Sequence, residues 1–235
     1  MATFWYHERH RKSYPSALCV LNQIKSIYNF NTVTDLGCGV GTWLFTAKEL
    51  GATTVKGLDG SSILPEHLKI LPSEFSNFDL NKPLSISEKY DLAISLEVAE
   101  HVNEAYIDNY FKLLTSLSPF ILFSGAIPGQ GGNGHINEQE PSYWIKKFES
   151  HGFRLYDVIR PIIWDKEEVL PWYKQNCFLF IKDGELPEVK ASLEKYENWK
   201  GRYIIHPHIF NKYSFLTKLK NPIQFTKNWA RSTLK

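Results

Sequence analysis

Residues 32–42 read T-V-T-D-L-G-C-G-V-G-T. A short β-branched run ends at Asp35, glycines alternate at positions 37, 39 and 41, and a helical pattern opens at Thr42. A strand that turns at once into a helix brings its backbone close to whatever lies above the turn, and only glycine leaves that space free of a Cβ. In doubly wound α/β sheets the carboxyl end of the first strand is where nucleotide-like ligands settle. The stretch therefore predicts a parallel sheet and a nucleoside-bearing ligand over Gly37, Gly39 and Gly41.

Outward from this turn, strands and helices alternate. Residues 1–13, polar and aromatic, read as an arm. Residues 16–28 place Leu18, Val20, Leu21, Ile24 and Ile27 on one helical stripe introduced by Pro15. Strand 33–36 and helix 42–50 follow, and a second β-branched run over 53–58 ends at Asp59-Gly60. The pattern then predicts a helix over 61–71, a short strand over 77–79, an apolar strand over 90–96 and an amphipathic helix over 100–117. A strand over 120–123 leads into a glycine-rich loop, 125–141, which reads as a mobile substrate lid around His135. Beyond it lie a helix over 142–150 and strands over 153–163 and 177–181, separated by an aromatic insertion at 164–173. The alternation implies an α/β fold with a mostly parallel sheet and helices on both faces. The last two strands, joined without a helix, read as an antiparallel hairpin.

At 235 residues the chain can bury one sizeable core. The domain reading is an arm and helix over 1–30, a catalytic domain over 31–186, and a helical, basic extension over 187–235. Hydrophobic content of 43% and charged content of 22% are those of a soluble globular protein. A net charge of +2 argues neither for nor against nucleic acid, although residues 198–235 carry eight Lys and Arg and no Asp or Glu. Cys19, Cys38 and Cys177 are too few and too far apart for a disulfide framework or a zinc site, which points to a reducing cytoplasm. No long apolar run appears, so no membrane span is expected.

Asp59 ends the second strand about twenty residues past the glycine turn, where a carboxylate accepts hydrogen bonds from ribose hydroxyls. That logic serves NAD and S-adenosylmethionine (SAM) alike. Two features choose between them. The dinucleotide fingerprint needs its third glycine where Thr42 stands. Asp35 puts a carboxylate at the first turn, suited to a cationic amino acid and poor for a pyrophosphate. The stretch D-L-G-C-G-V-G resembles motif I of the class I SAM methyltransferases, D-x-G-x-G-x-G. That resemblance implies a Rossmann-like, seven-stranded sheet with an antiparallel C-terminal hairpin, SAM as cofactor and S-adenosylhomocysteine (SAH) as product. It also implies an adenine contact at Phe78-Asp79-Leu80, with Asp79 on the exocyclic amine and Leu80 offering its amide. Leu96 and Glu97 are expected along the methionine side. Arg11 is a candidate clamp for the cofactor carboxylate.

The fourth strand runs into Glu97-Val98-Ala99-Glu100-His101. On a helix starting there, Glu97, Glu100 and His101 share one face. Carboxylates with an imidazole suit Mg²⁺ or Mn²⁺, and His135 is a candidate fourth ligand. E-x-x-E-H with a distant His resembles the small-RNA 2′-O-methyltransferases and the ubiquinone-pathway O-methyltransferases, which implies O-methylation aided by a divalent metal. The same motif without a metal leaves His135 or His101 as the general base. Asn137 and Glu138 stand beside His135 to orient it or to meet substrate.

Trp164, Trp172 and Tyr173, with Gln175 and Asn176, suggest a platform for sugar rings, and equally suggest packing. The favoured acceptor is a hydroxyl of a small molecule, a sugar or glycan precursor. Terminal ribose of RNA is the alternative, for which the basic tail with Trp199, Tyr203, Phe210, Tyr213, Phe215 and Trp229 would supply the contacts. A non-catalytic SAM-binding subunit is the third reading.

Overall fold

The computed structural model describes residues 2–61, 63–82, 86–197 and 205–209, the side chains of 2–7 and 195–197 excepted. The elements in order are α1 (Ala2–Ile27), β1 (Thr32–Leu36), α2 (Thr42–Glu49), β2 (Thr54–Asp59), β3 (Phe75–Asn77), β4 (Leu92–Leu96), α3 (Ile107–Leu117) and β5 (Phe120–Ser124). They continue with α4 (Pro141–Ser150), β6 (Phe153–Tyr156), α5 (Ile159–Ile163), α6 (Pro171–Asn176), β7 (Phe178–Lys182) and α7 (Pro187–Glu197). The seven strands lie in the order β3-β2-β1-β4-β5-β7-β6. All pairings are parallel except those of β7, which runs antiparallel to both β5 and β6. The chain leaves β1 toward one edge and returns at β4 toward the other, so the crevice that takes a ligand opens above β1 and β4. The register sets Asp35 beside Gly57 of β2 and Ile94 of β4 at that level.

Side chains alternate between two apolar layers because successive strand residues face opposite ways. On β5, Phe120 and Leu122 join the layer under α1, α2 and α5, while Ile121 and Phe123 join the layer under α3 and α4. Both layers are fully buried, as near-continuous apolar strands of a parallel sheet should be. Phe148 of α4 stacks on Phe180 of β7 with ring centroids 3.7 Å apart, fastening the antiparallel edge. Among the described residues no helix is long and apolar enough to cross a membrane. The free cysteines Cys38 and Cys177 are buried, and Cys19 is partly so.

Local structure departs from the sequence pattern in four places. The expected arm is helical, and Pro15 lies inside α1 rather than at its start. Proline there removes one intrahelical hydrogen bond. The rings of His10 and Tyr14, on the N-terminal side of Pro15, pack on Phe45 of α2 and carry the helix across the gap. Around 61–71 there is one 3₁₀ turn, Pro65–His67, with a second at Pro72–Glu74, and the third strand begins at Phe75, two residues early. The helix expected from residue 100 starts at Ile107. The carbonyl of Glu100 accepts amides from Ile136 and Asn137 at 2.9 and 3.0 Å, which takes it from the helical ladder. Val102 is extended, and Asn103 caps a new start by accepting from Ala105 N at 2.9 Å. Finally, β6 stops at Tyr156, and the last two strands are joined through α5 and α6 rather than by a plain hairpin turn.

The β6–α5 corner is built on an ion pair. Arg160 and Asp157 are 0% and 1% exposed, and the guanidinium donates two hydrogen bonds from Nε and one from Nη2 to the carboxylate. Its Nη1 donates to the carbonyl of Gln175 at 3.0 Å, and its plane lies 4.5 Å over the Phe178 ring. Breaking one side of such a pair strands a buried charge, whereas replacing both sides by apolar groups is far milder. Asp157→Ala is therefore expected to lower unfolding free energy by about 3–5 kcal/mol, and adding Arg160→Met should recover most of that loss. Urea denaturation of the two variants measures both.

Candidate active site

The glycine turn begins where β1 ends. The amides of Gly37 and Cys38 both donate to the carbonyl of Leu58, at 2.7 and 3.1 Å, which ties the turn to the end of β2. Gly37, Gly39 and Gly41 all have positive φ. Gly39 is the informative one, because a Cβ built there meets nothing within 4 Å. The space above the turn is open on the face where an adenosyl group would lie. Asp59 is 9% exposed, and its two carboxylate oxygens accept the amides of Gly39 and Ser61, each at 2.7 Å. This carboxylate holds the turn and keeps lone pairs for a further donor.

Asp35 is 2% exposed, and burial, with the nearby charge of Asp59, raises its carboxyl well above the usual carboxylate range. A cationic ligand group beside it would reverse that shift, so its environment suits a sulfonium amino acid. Asp79 is exposed and accepts the backbone and side-chain amides of Asn81 at 3.0 and 3.1 Å, which lowers its pKa. Its backbone lies beside Gly60 at the end of β2, with Phe78 and Leu80 packed on the core next to it. The structure thus brings Asp35, Asp59 and the Phe78-Asp79-Leu80 stretch to one edge of the sheet.

Beyond Leu96, which is 8% exposed, Glu97 adopts φ 55°, a left-handed conformation costly for a residue with a Cβ by about 1–3 kcal/mol. Its amide donates to the carbonyl and hydroxyl of Ser124 at 3.1 and 2.9 Å. Its carboxylate accepts Gln130 Nε2 at 2.6 Å and Asn176 Nδ2 at 3.0 Å. Burial raises the Glu97 pKa, and the hydrogen bonds from Asn176, Ser124 and Gln130 work against that rise. Because Glu97 is left-handed and only Ala99–His101 form a single 3₁₀ turn, the three E-x-x-E-H side chains do not share an α-helix face, and Glu97 stands apart from the other two.

Glu100, His101 and His135 do meet. One ligand atom from each lies within 4.8 Å of the others. Glu100 is 0% exposed, and neither carboxylate oxygen accepts a well-formed hydrogen bond. Burial, then the charge of Glu97, push its pKa far up, against a smaller downward pull from the nearby backbone amides of Glu100 and Ala126. The His135 ring stands 4.9 Å from that of His101, edge to face, and its Nε2 is 3.9 Å from Glu100 Oε1. His135 Nδ1 donates to Glu138 at 2.9 Å, and His101 Nδ1 donates to the carbonyl of Gly134 at 3.1 Å. In the neutral form of each ring, Nδ1–H leaves Nε2 as the unprotonated nitrogen, and Nε2 of His135 is the one that stands beside Glu100. Burial, with the charges of His135 and Arg9, lowers the His101 pKa, which favours that neutral form. A buried carboxylate without donors and two imidazoles presenting lone pairs are a donor set that fits a divalent ion.

Glu138 also accepts the amides of Gly129 and Gly131, at 2.8 and 2.6 Å, so it cross-links the loop expected to be mobile. Burial alone would raise its pKa, but the hydrogen bonds from His135 and those two amides hold it below the ordinary value. Gly132 is required by contact, since a Cβ there would stand 2.1 Å from His135 Nε2.

Other expected site residues lie elsewhere. Arg11 is 73% exposed and pairs with Glu8 one helical turn away. The α1 residues on the site's side are His10, whose Nδ1 is 3.1 Å from Thr42 Oγ1, and Arg9, whose charge is felt by His101 and Tyr173. Tyr173 is 7% exposed against Trp43, with its hydroxyl pushed up to about 12 by burial, so it packs rather than offers a sugar platform. Trp172 packs on the same core, and Trp164 lies against His206. Gln175 holds the amide of His206 through its side chain. Trp199, Tyr203, Phe210, Tyr213, Phe215 and Trp229 lie outside the described residues. Sequence reading missed Gln130 and set Asn176 on the sugar platform rather than beside Glu97, since lone amides in a loop and a short helix carry no spacing signal.

Residues 7–119 match the family described as methyltransferase domain. Protein arginine N-methyltransferase 1 of Dictyostelium discoideum is 24% identical over 133 residues, which is 55% of this chain and 37% of that protein. The chain thus spans little more than a third of that relative's length. Among solved structures, the O-methyltransferase from a trans-AT PKS multienzyme of Brevibacillus brevis, bound to SAH, superposes with TM-score 0.54 at 17% identity, covering 87% of this chain and 84% of that one. Magnesium protoporphyrin IX methyltransferase (ChlM) of Synechocystis PCC 6803, bound to SAM, gives 0.53 at 19% identity over 74% and 79%. CalS10 of Micromonospora echinaspora, an amino pentose methyltransferase bound to SAM, gives 0.53 at 13% over 75% and 96%. Residues 7–119 thus match a methyltransferase-domain family, and the glycine turn, the carboxylates that follow β1 and β2 and the strand order are those of the class I SAM-dependent methyltransferase fold.

Proposed function

We propose that the chain is an O-methyltransferase that transfers the methyl group of SAM to a hydroxyl of a small molecule bearing a vicinal diol, of the kind found in sugars and glycan precursors. The observation that carries this reading is the meeting of Glu100, fully buried with neither carboxylate oxygen in a well-formed hydrogen bond, with the imidazoles of His101 and His135. Catalysis is assigned to residues 31–186. The glycine turn 37–41, open above Gly39, seats the adenosyl group, Asp59 takes the ribose, and Asp79 with Leu80 takes the adenine edge. Asp35, Leu96 and Glu97 line the amino-acid end, and the cation over that end is Arg9 rather than Arg11. The fold serves a sugar in CalS10.

Bound SAM supplies an electrophilic methyl whose leaving group is a neutral thioether. An alcohol holds its proton too tightly to attack unaided at neutral pH, so the protein must weaken that bond. A divalent ion such as Mg²⁺ or Mn²⁺ held by Glu100, His101 and His135 would do so by lowering the hydroxyl pKa. His135 does the same work directly. With Nδ1–H on Glu138, its Nε2 can take the acceptor proton, and the Glu138 carboxylate stabilises the imidazolium that results. Loop residues 129–138 keep that ring in place through the three hydrogen bonds to Glu138.

Three outcomes are expected. Gly39→Val should fill the open space, at a backbone that already has positive φ, and abolish SAH binding by calorimetry. His135→Ala should leave SAH affinity within roughly twofold while labelled-methyl transfer to a panel of sugar and catechol diols falls by about 10²–10⁴. Unchanged transfer would remove His135 from the chemistry.

The third concerns charge. An unfolded Glu titrates near ~4.3, whereas folded Glu100 titrates well above its ordinary value. Between those two points the folded protein binds a proton that the unfolded chain has released, so stability falls as pH rises through the window. Glu100→Gln should flatten that slope in thermal melts from pH 5 to 8. Mn²⁺ at a hundred times its Kd should stabilise the wild type by about 2.7 kcal/mol, a Tm rise of roughly 5–10 °C, and leave Glu100→Gln nearly unmoved. Equal shifts in both proteins would place any ion elsewhere.

A further inference from the structure

Three side chains from distant parts of the chain close a ring at the cofactor wall. Glu97 follows β4, Gln130 lies in the loop that carries His135, and Asn176 ends α6 between the last two strands. Glu97 Oε2 accepts Gln130 Nε2 at 2.6 Å, Glu97 Oε1 accepts Asn176 Nδ2 at 3.0 Å, and Asn176 Nδ2 also donates to Gln130 Oε1 at 2.8 Å. Gln130 and Asn176 are 5% and 2% exposed, and Glu97 is half-buried. The ring holds a left-handed glutamate whose backbone has no conformational preference for the position. Asn176 is itself held from behind, because the carbonyl of the preceding Gln175 accepts Arg160 Nη1 at 3.0 Å.

The ring has more acceptors than donors. Asn176 Oδ1 is buried and accepts nothing from the protein. A buried amide oxygen left without a donor costs free energy, so a ligand donor at this corner is favoured. The amino-acid end of SAM carries an ammonium with three N–H groups, and Glu97 is the carboxylate expected along that end.

We propose that Asn176 and Gln130 are positioning residues that aim the Glu97 carboxylate at the ammonium of SAM, with Asn176 Oδ1 completing the receptor. Through Gln130 the same ring fastens the loop bearing His135 to the filled cofactor site. The inference rests on the seating of SAM given above and adds two residues to it.

The test compares two ligands on the full chain by calorimetry. SAH carries the amino-acid end, and 5′-methylthioadenosine lacks it. Asn176→Ala should weaken SAH about tenfold or more while 5′-methylthioadenosine stays within roughly twofold, because only the ammonium contact is lost. Gln130→Ala, a loop substitution that spares the β6–β7 connection, should do the same to a smaller degree and keeps the test open if Asn176→Ala folds poorly. It should also speed amide exchange of residues 125–140 in the SAH complex. Equal weakening of both ligands would show a merely structural role and overturn the proposal, as would no change in either. Wild-type protein that binds neither ligand would overturn the seating of SAM itself, a result plainly different from wild-type binding with unaffected variants.

Discussion

Parallel strands that end at one edge gather carboxylates there, and the architecture of that edge follows from how each carboxylate is answered. Asp59 is met by two backbone amides, Glu97 by two side-chain amides, and Glu138 by two amides and an imidazole. Neutral N–H groups thus do most of the visible work. They stabilise a buried carboxylate without cancelling its charge, which leaves the edge receptive to a cationic ligand. Asp35, raised by burial and by Asp59, registers that accumulated charge most directly. A sulfonium amino acid lowers the cost of the whole arrangement, and a pyrophosphate would raise it.

The same demand for donors reshapes the backbone. An α-helix starting after β4 would use the carbonyl of Glu100 in its own ladder. Here that carbonyl serves Ile136 and Asn137, so the loop after β5 is stitched under the E-x-x-E-H turn before α3 can begin. That stitch, more than any helix face, is what brings His135 to Glu100 and His101. The left-handed Glu97 has a related origin. Its amide is committed to Ser124 and its carboxylate to Gln130 and Asn176, and the chain between these fixed points accepts the strained conformation.

Sheet content, strand polarity and the glycine turn were legible because they rest on local signals: β-branched runs, glycine spacing, and acids placed at strand ends. The antiparallel hairpin at the end of the sheet is read from the lack of a helical pattern between the last strands and from the family resemblance. The insertion of β7 between β5 and β6 has no local signal. Long-range events were illegible. The apolar spacing of residues 107–117 extends the helical pattern back to 100, and nothing in the sequence announces that a loop thirty-six residues later takes the Glu100 carbonyl. Arg11 and Arg9 look equivalent on paper, yet two positions on a helix face nearly opposite ways, and only Arg9 acts on His101. Tyr173 reads as a stacking platform until Trp43 is seen against it.

Glu100 remains the sharpest point of physical tension. A carboxylate at 0% exposure with no donor must be neutralised, by a proton or by a cation. A proton alone would leave the two imidazoles without a reason to converge on it. Their hydrogen bonds supply one: His101 and His135 each spend Nδ1–H on an oxygen outside the cluster, which sets the tautomer of the neutral ring and leaves Nε2 unprotonated in it. Lone pairs do not satisfy a carboxylate oxygen, since both are acceptors. Three acceptor atoms held within 4.8 Å of one another repel unless something electropositive sits among them. A shared proton and a shared cation are two ways of answering the same three acceptors.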